Sequence, residues 1–98
     1  MNAGYWVYIL ASKRNGTLYV GLTSDLSVRV FQHKSRSVPS FTNTYDVTRL
    51  VHFEHFQWIH DAKHRETQLK RWRRAWKIAL IEKDNPDWSD LYETMRID

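Results

Sequence analysis

The sequence predicts an α+β fold in which a β-hairpin and a third strand pack with two helices. Residues 5–11 and 17–22 are rich in the β-branched and aromatic side chains that suit a pleated sheet, and they flank the turn signal Asn15-Gly16. Residues 47–56 form a third run of this kind. Apolar residues in 24–36 and 59–82 recur at the spacing of helices that bury one face.

Length and composition restrict the class of protein. A chain of 98 residues is enough for one domain with a modest core, and 42% hydrophobic residues are enough to fold it. The absence of cysteine excludes disulfide bonds and thiolate metal sites. No run approaches the roughly 20 apolar residues of a membrane span, and the first residues lack a signal-peptide pattern. We therefore expect a cytoplasmic protein that does not enter a membrane.

The charge is unevenly distributed along the chain. Residues 59–83 hold eight Lys and Arg against three Asp and Glu, whereas the segment from residue 84 onward holds one against five. A basic block of this kind indicates a surface for a polyanion. The alternative is an ordinary solvated helix face.

The hairpin brings two tyrosines onto facing strands. If the turn centres near Arg14, positions whose numbers sum to 27 or 28 lie opposite each other. Tyr8 and Tyr19 are then directly opposed or one residue out of register, and Gly21 follows on the second strand. The alternative interpretation is that both rings serve packing, as most strand tyrosines do.

The first helix, over residues 24–36, places a cation and an imidazole on one face. Arg29 and His33 are four residues apart, so they lie together beside the buried stripe that Leu26 and Val30 begin. They are candidates for a functional site. The alternative is an arginine whose aliphatic stem covers the core edge and a hydrogen-bonded core histidine.

A polar loop over residues 35–44, around Pro39, leads to the third strand. A connection of this length leaves the position of that strand in the sheet open.

The second helix, over residues 59–82, carries a carboxylate in its apolar stripe. Glu66 falls where the 3.6-residue period requires an apolar side chain, and a buried carboxylate is costly unless it is paired or bound to a metal. Either an ion pair with Lys70 or a functional role explains it. The apolar positions of this helix are Ile59, Ala62, Leu69, Trp72, Trp76, Ala79 and Leu80.

The same helix carries a dense basic segment. Its side chains are suited to phosphate contacts, and an exposed tryptophan among them could stack on a base. Trp72 and Trp76 are nevertheless expected in the core, and their exposure as a patch would instead indicate an adaptor. The candidate nucleic-acid-binding residues are Lys70, Arg71, Arg73, Arg74 and Lys77.

These residues, in this order and spacing, resemble the GIY-YIG nuclease superfamily, and the similarity is greatest to its small stand-alone bacterial members. The resemblance rests on Val7-Tyr8-Ile9, on Leu18-Tyr19-Val20-Gly21, on Arg29 and His33, and on Glu66. It covers about residues 5–92 and implies a single domain over 1–98. The fold that it implies is a three-stranded antiparallel sheet flanked by helices.

The resemblance also implies metal-dependent cleavage of phosphodiester bonds with one divalent cation, Mg²⁺ or Mn²⁺. By position, Glu66 corresponds to the metal ligand, Tyr8 to the general base and Tyr19 to the second active-site tyrosine. Arg29 corresponds to the phosphate-stabilising cation, and His33 to the histidine that handles protons. The implied substrate is DNA, with RNA left open, in DNA repair or the processing of structured DNA. A partner protein or a homodimer is expected to supply specificity.

The sequence departs from the family pattern at several positions. Trp6 and Val7 stand where the first motif has a small residue and isoleucine, and Val20 replaces isoleucine in the second. Ser89, or less closely Asn85, stands near the place of an asparagine found in many family members. These departures favour an alternative function, a nucleic-acid-binding module with weak or lost catalysis.

Overall fold

The fold is described from a computed structural model, for residues 3–35 and 45–95. The predicted α+β class and three-stranded antiparallel sheet are confirmed. Residues 36–44, and with them most of the predicted polar loop, lie outside the described part of the chain. In chain order the elements are β1 (Tyr5–Ala11), β2 (Leu18–Thr23), α1 (Leu26–Ser35), β3 (Arg49–Phe56), α2 (Ile59–Arg71), α3 (Arg74–Asp84) and α4 (Tyr92–Met95).

The sheet has the strand order β2–β1–β3, with both neighbours antiparallel to β1. The third strand therefore pairs with the first, which settles the position that the sequence left open. β1 is central, and three of its apolar residues, Val7, Ile9 and Leu10, are fully buried. β2 is an edge strand of the sheet, and α2 contacts it.

The hairpin register differs from the predicted one. Paired positions sum to 29, so Tyr8 lies opposite Gly21 and Tyr19 lies opposite Leu10. The two tyrosines are diagonal neighbours and not a direct pair. Because the displacement is two residues, an even number, both rings still lie on the same face of the sheet.

The hairpin turn explains this shift. The Ser12 amide donates to the Thr17 carbonyl at 3.0 Å, which leaves a four-residue loop over 13–16. The turn therefore centres between Arg14 and Asn15, half a residue later than expected. Asn15 takes a φ of 58°, a conformation that asparagine tolerates better than most residues.

The two faces of the sheet have separate cores. One face packs against α2 and α3, and the other packs against α1. The first core contains Val7, Ile9, Ala11, Val20, Val51, Ala62, Leu69, Ile81 and Trp88. The second contains Tyr8, Leu10, Leu26, Val30, Val47 and Leu50.

The predicted helix over 59–82 is interrupted, which corrects the sequence-based expectation. Trp72 and Arg73 have extended backbones, with ψ of 143° and 154°. A continuous helix would stack the cations of residues 70, 73, 74 and 77 at like-charge i,i+3 and i,i+4 spacings, which is unfavourable. The break also changes the helical phase, so that Ile81 is buried whereas Trp76 and Ala79 are exposed.

Within the described residues, no helix combines the length and apolar character needed to cross a membrane.

Candidate active site

Two tyrosines and a histidine form the centre of the candidate site. The ring centroids of Tyr8 and Tyr19 are 6.3 Å apart. The His33 ring lies 6.0 Å from Tyr8 and 5.5 Å from Tyr19, and its Nε2 is hydrogen-bonded to the Tyr8 hydroxyl at 3.1 Å. Residues from β1, β2 and α1 thus meet on one face of the sheet.

Gly21 makes room for the first tyrosine. A Cβ at this position would clash with the Tyr8 ring, at Cζ and at the hydroxyl. The end of the phenol therefore lies directly over the edge strand β2. A side chain of any size at residue 21 would displace it.

The start of α1 fixes the position of the histidine. Asp25 Oδ1 accepts a hydrogen bond from the Val28 amide at 3.2 Å, as an N-cap residue does. Only two residues separate β2 from the helix, so α1 lies close to the hairpin, and Arg29 and, in its last turn, His33 reach Tyr8. The Arg29 guanidinium also donates to Gln32 at 3.2 Å.

Burial controls the ionisation of this cluster. It raises the pKa of Tyr8 to about 12; a hydrogen bond and the charge of Arg29 oppose the rise, whereas Tyr19 and Glu66 add to it. Burial and the Arg29 charge lower the pKa of His33. At neutral pH the hydrogen bond therefore joins an uncharged phenol to an uncharged imidazole.

The carboxylate of Glu66 is buried, as its place in the stripe predicts. The residue is 8% exposed and shares the inner face of α2 with Ala62 and Leu69. Its two oxygens face Lys63 at 3.7 Å and Lys70 at 3.0 Å. The predicted ion pair with Lys70 is thus present, and a second lysine joins it.

Glu66 approaches the tyrosines from the opposite side of the sheet. Tyr8 and Tyr19 lie on the α1 face, whereas α2 covers the other face. The groove beside β2 is lined both by Tyr19 and by Lys70, which pairs with Glu66. The charge of Glu66 also raises the pKa of Tyr8. The structure thus groups Tyr8, Tyr19, Arg29 and His33 on the α1 face, whereas Glu66 lies on the α2 face and acts on Tyr8 through its charge.

The acidic groups near the site would suit a divalent ion that needs few protein ligands. In the described ranges, 3–35 and 45–95, no three His, Cys, Asp or Glu side chains cluster as a metal site. Glu66 offers a single carboxylate. Mg²⁺ suits such a site because it retains several waters and binds through one or two carboxylates together with substrate phosphates.

A groove of about 380 Å³ runs beside the edge strand. Leu18, Tyr19 and Val20 form one wall, and Lys70 and Lys77 form the other. Burial, and the charge of Arg74, lower the pKa of Lys77. The groove extends from the tyrosine cluster toward the hairpin turn and has a cationic side suited to an anionic chain.

The five predicted nucleic-acid-binding residues occupy different places. Lys70 and Lys77 line the groove, and Arg71 is exposed. Arg73 stacks on Trp76, and Arg74 donates to the carbonyls of two turn residues, 15 and 16, at 2.6 Å each. The Arg74 contacts bring Lys13 and Arg14 of the turn next to the basic segment, which the sequence order did not reveal.

The sequence analysis missed a second charged cluster. Arg65 donates to both carboxylate oxygens of Glu54, at 2.8 and 3.0 Å, and His52 contacts the same carboxylate at 2.8 Å. The Arg65 guanidinium also lies 5.1 Å from the centroid of the Trp72 ring. Alternation in β3 and the pairing of Glu54 with Val7 placed these groups on the α2 face.

Asn85 has a structural role. Its side-chain amide donates to the carbonyls of Val51, at 3.2 Å, and Ser89, at 3.0 Å, while its oxygen accepts the Ser89 amide at 3.0 Å. These bonds attach the end of α3 to β3. Since all its polar atoms hold backbone groups, Asn85 is not available as a functional asparagine, and Ser89 is exposed.

Comparisons with known proteins identify the family of the chain. Residues 4–79 match the model of the GIY-YIG catalytic domain. A UPF0213 protein of Pediococcus pentosaceus is 33% identical over 88 residues, 90% of this chain and 92% of the relative. A UPF0213 protein of Syntrophus aciditrophicus is 35% identical over 83 residues, covering 84% and 93%.

A solved structure is also similar. The solution NMR structure of UPF0213 protein BH0048 from Bacillus halodurans has a TM-score of 0.55 and 27% sequence identity. The match covers 88% of this chain and 90% of the other. None of these relatives' names states an activity.

Proposed function

The chain belongs to the GIY-YIG family, and from this premise we propose that it is a metal-dependent endonuclease that hydrolyses phosphodiester bonds in DNA. The family indicates nuclease chemistry and a nucleic-acid substrate. The observation that carries the proposal is the cluster of Tyr8, Tyr19 and His33 beside a buried carboxylate. A purely structural role would not require a buried phenol hydrogen-bonded to an uncharged imidazole, with the charge of a buried carboxylate acting on that phenol.

Glu66 is the proposed ligand for the metal, Mg²⁺ or Mn²⁺. When bound, such an ion neutralises charge on the scissile phosphate and lowers the pKa of its water. Both lysines that pair with Glu66 have highly exposed side chains, 69% for Lys63 and 55% for Lys70. They can leave the carboxylate without opening the core.

Arg29 and the Tyr8–His33 pair are the proposed catalytic groups of the chain itself. A guanidinium offers planar donors to the phosphate oxygens as negative charge develops. With a pKa raised to about 12, Tyr8 is a weak base unless it loses its proton. His33, uncharged and hydrogen-bonded to the phenol, is the proposed acceptor of that proton. Because the pKa of Tyr8 is raised and that of His33 is lowered, the transfer requires the positive charge of Arg29, or of a metal ion if one were bound, to stabilise the phenolate. Tyr19 closes the third side of the cluster and orients the substrate phosphate.

The substrate contacts are proposed to run along the groove beside β2. Lys70 and Lys77 lie within contact distance of a phosphate chain placed there, and Arg71 extends the same charge. Arg73 and Arg74, although engaged in intramolecular contacts, add to the positive potential. DNA repair, or the processing of branched or nicked DNA, is the proposed setting.

The test is cleavage of supercoiled plasmid with Mg²⁺ or Mn²⁺. The wild-type protein is expected to nick it, whereas Glu66→Ala and Tyr8→Phe are not. Asp61→Ala is the matched control, because Asp61 is an exposed acid on the same helix. This variant should cleave the plasmid like the wild type. Equal cleavage by all four proteins would refute the assignment.

One observation favours a second function, nucleic-acid binding without cleavage. Both oxygens of Glu66 already face lysines, so the charge that would attract a metal is neutralised in the protein itself. This alternative predicts salt-sensitive DNA binding that survives Glu66→Ala, and no metal-dependent nicking by the wild type.

A further inference from the structure

Trp76 is exposed, although its position in the helical stripe predicted burial. Half of the residue, 51%, is accessible to solvent. The Arg73 guanidinium lies 5.0 Å from its ring centroid, and the Trp72 ring lies 6.0 Å away at an interplanar angle of 89°. The indole is thus supported from within the protein and open on its outer part.

The helix break produces this arrangement. Trp72 takes the inward position, packs against the core and is covered by Arg65. Trp76, one turn into α3, consequently points away from the core. It is held there by a cation and a perpendicular aromatic ring, and therefore needs no reorganisation to accept a flat partner.

The charge around Trp76 determines which partner fits. Five of the eight residues from 70 to 77 are Lys or Arg. An apolar protein surface would not complement this positive charge, whereas a basic segment with an exposed indole is the combination found in sites that bind single-stranded nucleic acid. The base stacks on the aromatic ring while the phosphates contact the cations.

We propose that Trp76 is a stacking site for an unpaired nucleobase, separate from the tyrosine cluster. This inference rests on the proposed function, since it concerns the same nucleic-acid substrate. It narrows the substrate to nucleic acid with a single-stranded portion, because the faces of bases inside a duplex are already covered by their neighbours. In this proposal the stacked base belongs to the single-stranded part of the substrate, which extends from the groove beside β2 past the break between α2 and α3.

The experiment measures binding without metal, in EDTA, by anisotropy of two labelled probes: a short oligothymidylate and a blunt duplex. Trp76→Leu is expected to weaken binding of the oligothymidylate by about 5- to 150-fold, the range measured for loss of one base–aromatic stack. Binding of the duplex should change less than about twofold. Trp76→Phe, which keeps an aromatic face, should retain most of the affinity.

Trp58→Leu is the matched control. Trp58 is 62% exposed, and it stands at the other end of α2, about 20 Å from the break at the rise of a helix. Its loss should leave binding of both probes unchanged. An effect equal to that of Trp76→Leu would show that any exposed tryptophan contributes and would overturn the assignment.

Tryptophan fluorescence gives a measurement that does not depend on the stability of the leucine variant. Stacking of thymine on Trp76 should quench wild-type emission, and Trp76→Phe should lose most of this quenching while remaining bound. Quenching that persists in Trp76→Phe would place the base elsewhere.

The outcomes separate this inference from the proposed function. If the wild type cleaves plasmid through Glu66 but Trp76→Leu binds both probes normally, or loses both equally, stacking is refuted and the nuclease assignment stands. If the wild type binds the oligothymidylate through Trp76 but never cleaves, the stacking site stands and the nuclease assignment fails. If it binds neither probe, stacking is refuted, and the nuclease assignment stands or falls with the plasmid-cleavage assay alone.

Discussion

Two largely buried carboxylates, one on β3 and one on α2, form ion pairs with different kinds of cation. Glu54, on β3, accepts two hydrogen bonds from the Arg65 guanidinium, of 2.8 and 3.0 Å. Glu66, the next residue after Arg65, faces two lysine ammonium groups at 3.7 and 3.0 Å. The side chains around Glu54 are themselves mostly buried, whereas the lysines on Glu66 are mostly exposed.

The difference separates a structural acid from an acid that can exchange its partner. Although burial raises the pKa of Glu54, hydrogen bonds from His52 and Arg65 outweigh it and hold the pKa at about 2. A guanidinium fork is rigid and weakly hydrated, whereas an ammonium on a flexible stem is strongly hydrated and returns to water easily. Glu54 therefore fixes α2 to β3, whereas Glu66 can exchange its lysines for the metal ion that we propose it binds.

The largest expected effect tests the exchangeable acid. Glu66→Gln should reduce the rate of plasmid cleavage by about a hundredfold or more, because it removes the charge that would hold the metal. Its free energy of unfolding should stay the same or rise, since a buried charge is removed. Cleavage rates and urea unfolding, each compared with wild type, measure the two effects. A large loss of unfolding free energy in Glu66→Gln would show that Glu66 also has a structural role.

The second prediction tests the fixed acid. Glu54→Gln should lower the free energy of unfolding at neutral pH by about 3 kcal/mol, the value that corresponds to a pKa held at about 2 instead of 4.5. Cleavage by the folded fraction should remain within a few-fold of wild type. Urea denaturation measures the loss, and a change below about 0.5 kcal/mol would contradict the structural role.

The pH dependence of stability sharpens the same contrast. A folded-state pKa of about 2, below the ordinary 4.5, means that the stabilisation from Glu54 is complete above about pH 5. It is lost as the pH falls from 4.5 toward 2. The difference in unfolding free energy between wild type and Glu54→Gln should therefore narrow over that interval. A gap that stays constant down to about pH 3 would show that the charge of Glu54 is irrelevant.

The smallest expected effect concerns the lysines. Lys70→Gln removes the nearer cation competing for Glu66, so the Mg²⁺ concentration for half-maximal cleavage should fall by about two- to fivefold at saturating DNA. Lys63→Gln is the matched control, with a smaller shift, because its contact is longer. A higher Mg²⁺ requirement in Lys70→Gln would mean that Lys70 assists metal binding.

The sequence predicted the elements that depend on local chemistry. The strands follow from β-branched and aromatic runs, the turn from Asn15-Gly16, and the burial of Glu66 from helical periodicity. The resemblance to a family supplied the sheet, which local patterns could not, because the partner of β3 depends on contacts between distant residues. Tyr8 and Tyr19 still share a face, although the predicted register was wrong, because their observed offset from a direct pair is two residues, an even number.

The errors arose where tertiary contacts override local preference. No proline or glycine marks the break at Trp72 and Arg73; the break follows from crowded cations and from the place that the core offers Trp72. The ion pair between Glu54 and Arg65 joins residues eleven apart in sequence on two elements. Its only trace in the sequence is an acidic residue in a strand and a basic residue beside Glu66.

The bare backbone of Gly21 beneath the Tyr8 ring has a genetic consequence. A Gly21→Ala mutant would displace the ring, and a suppressor could relieve the clash by shortening residue 8. Such a revertant would regain solubility and yield but would lack the phenol proposed for cleavage. A selection for expression and a selection for nuclease activity should therefore recover different second-site changes from the same starting mutant.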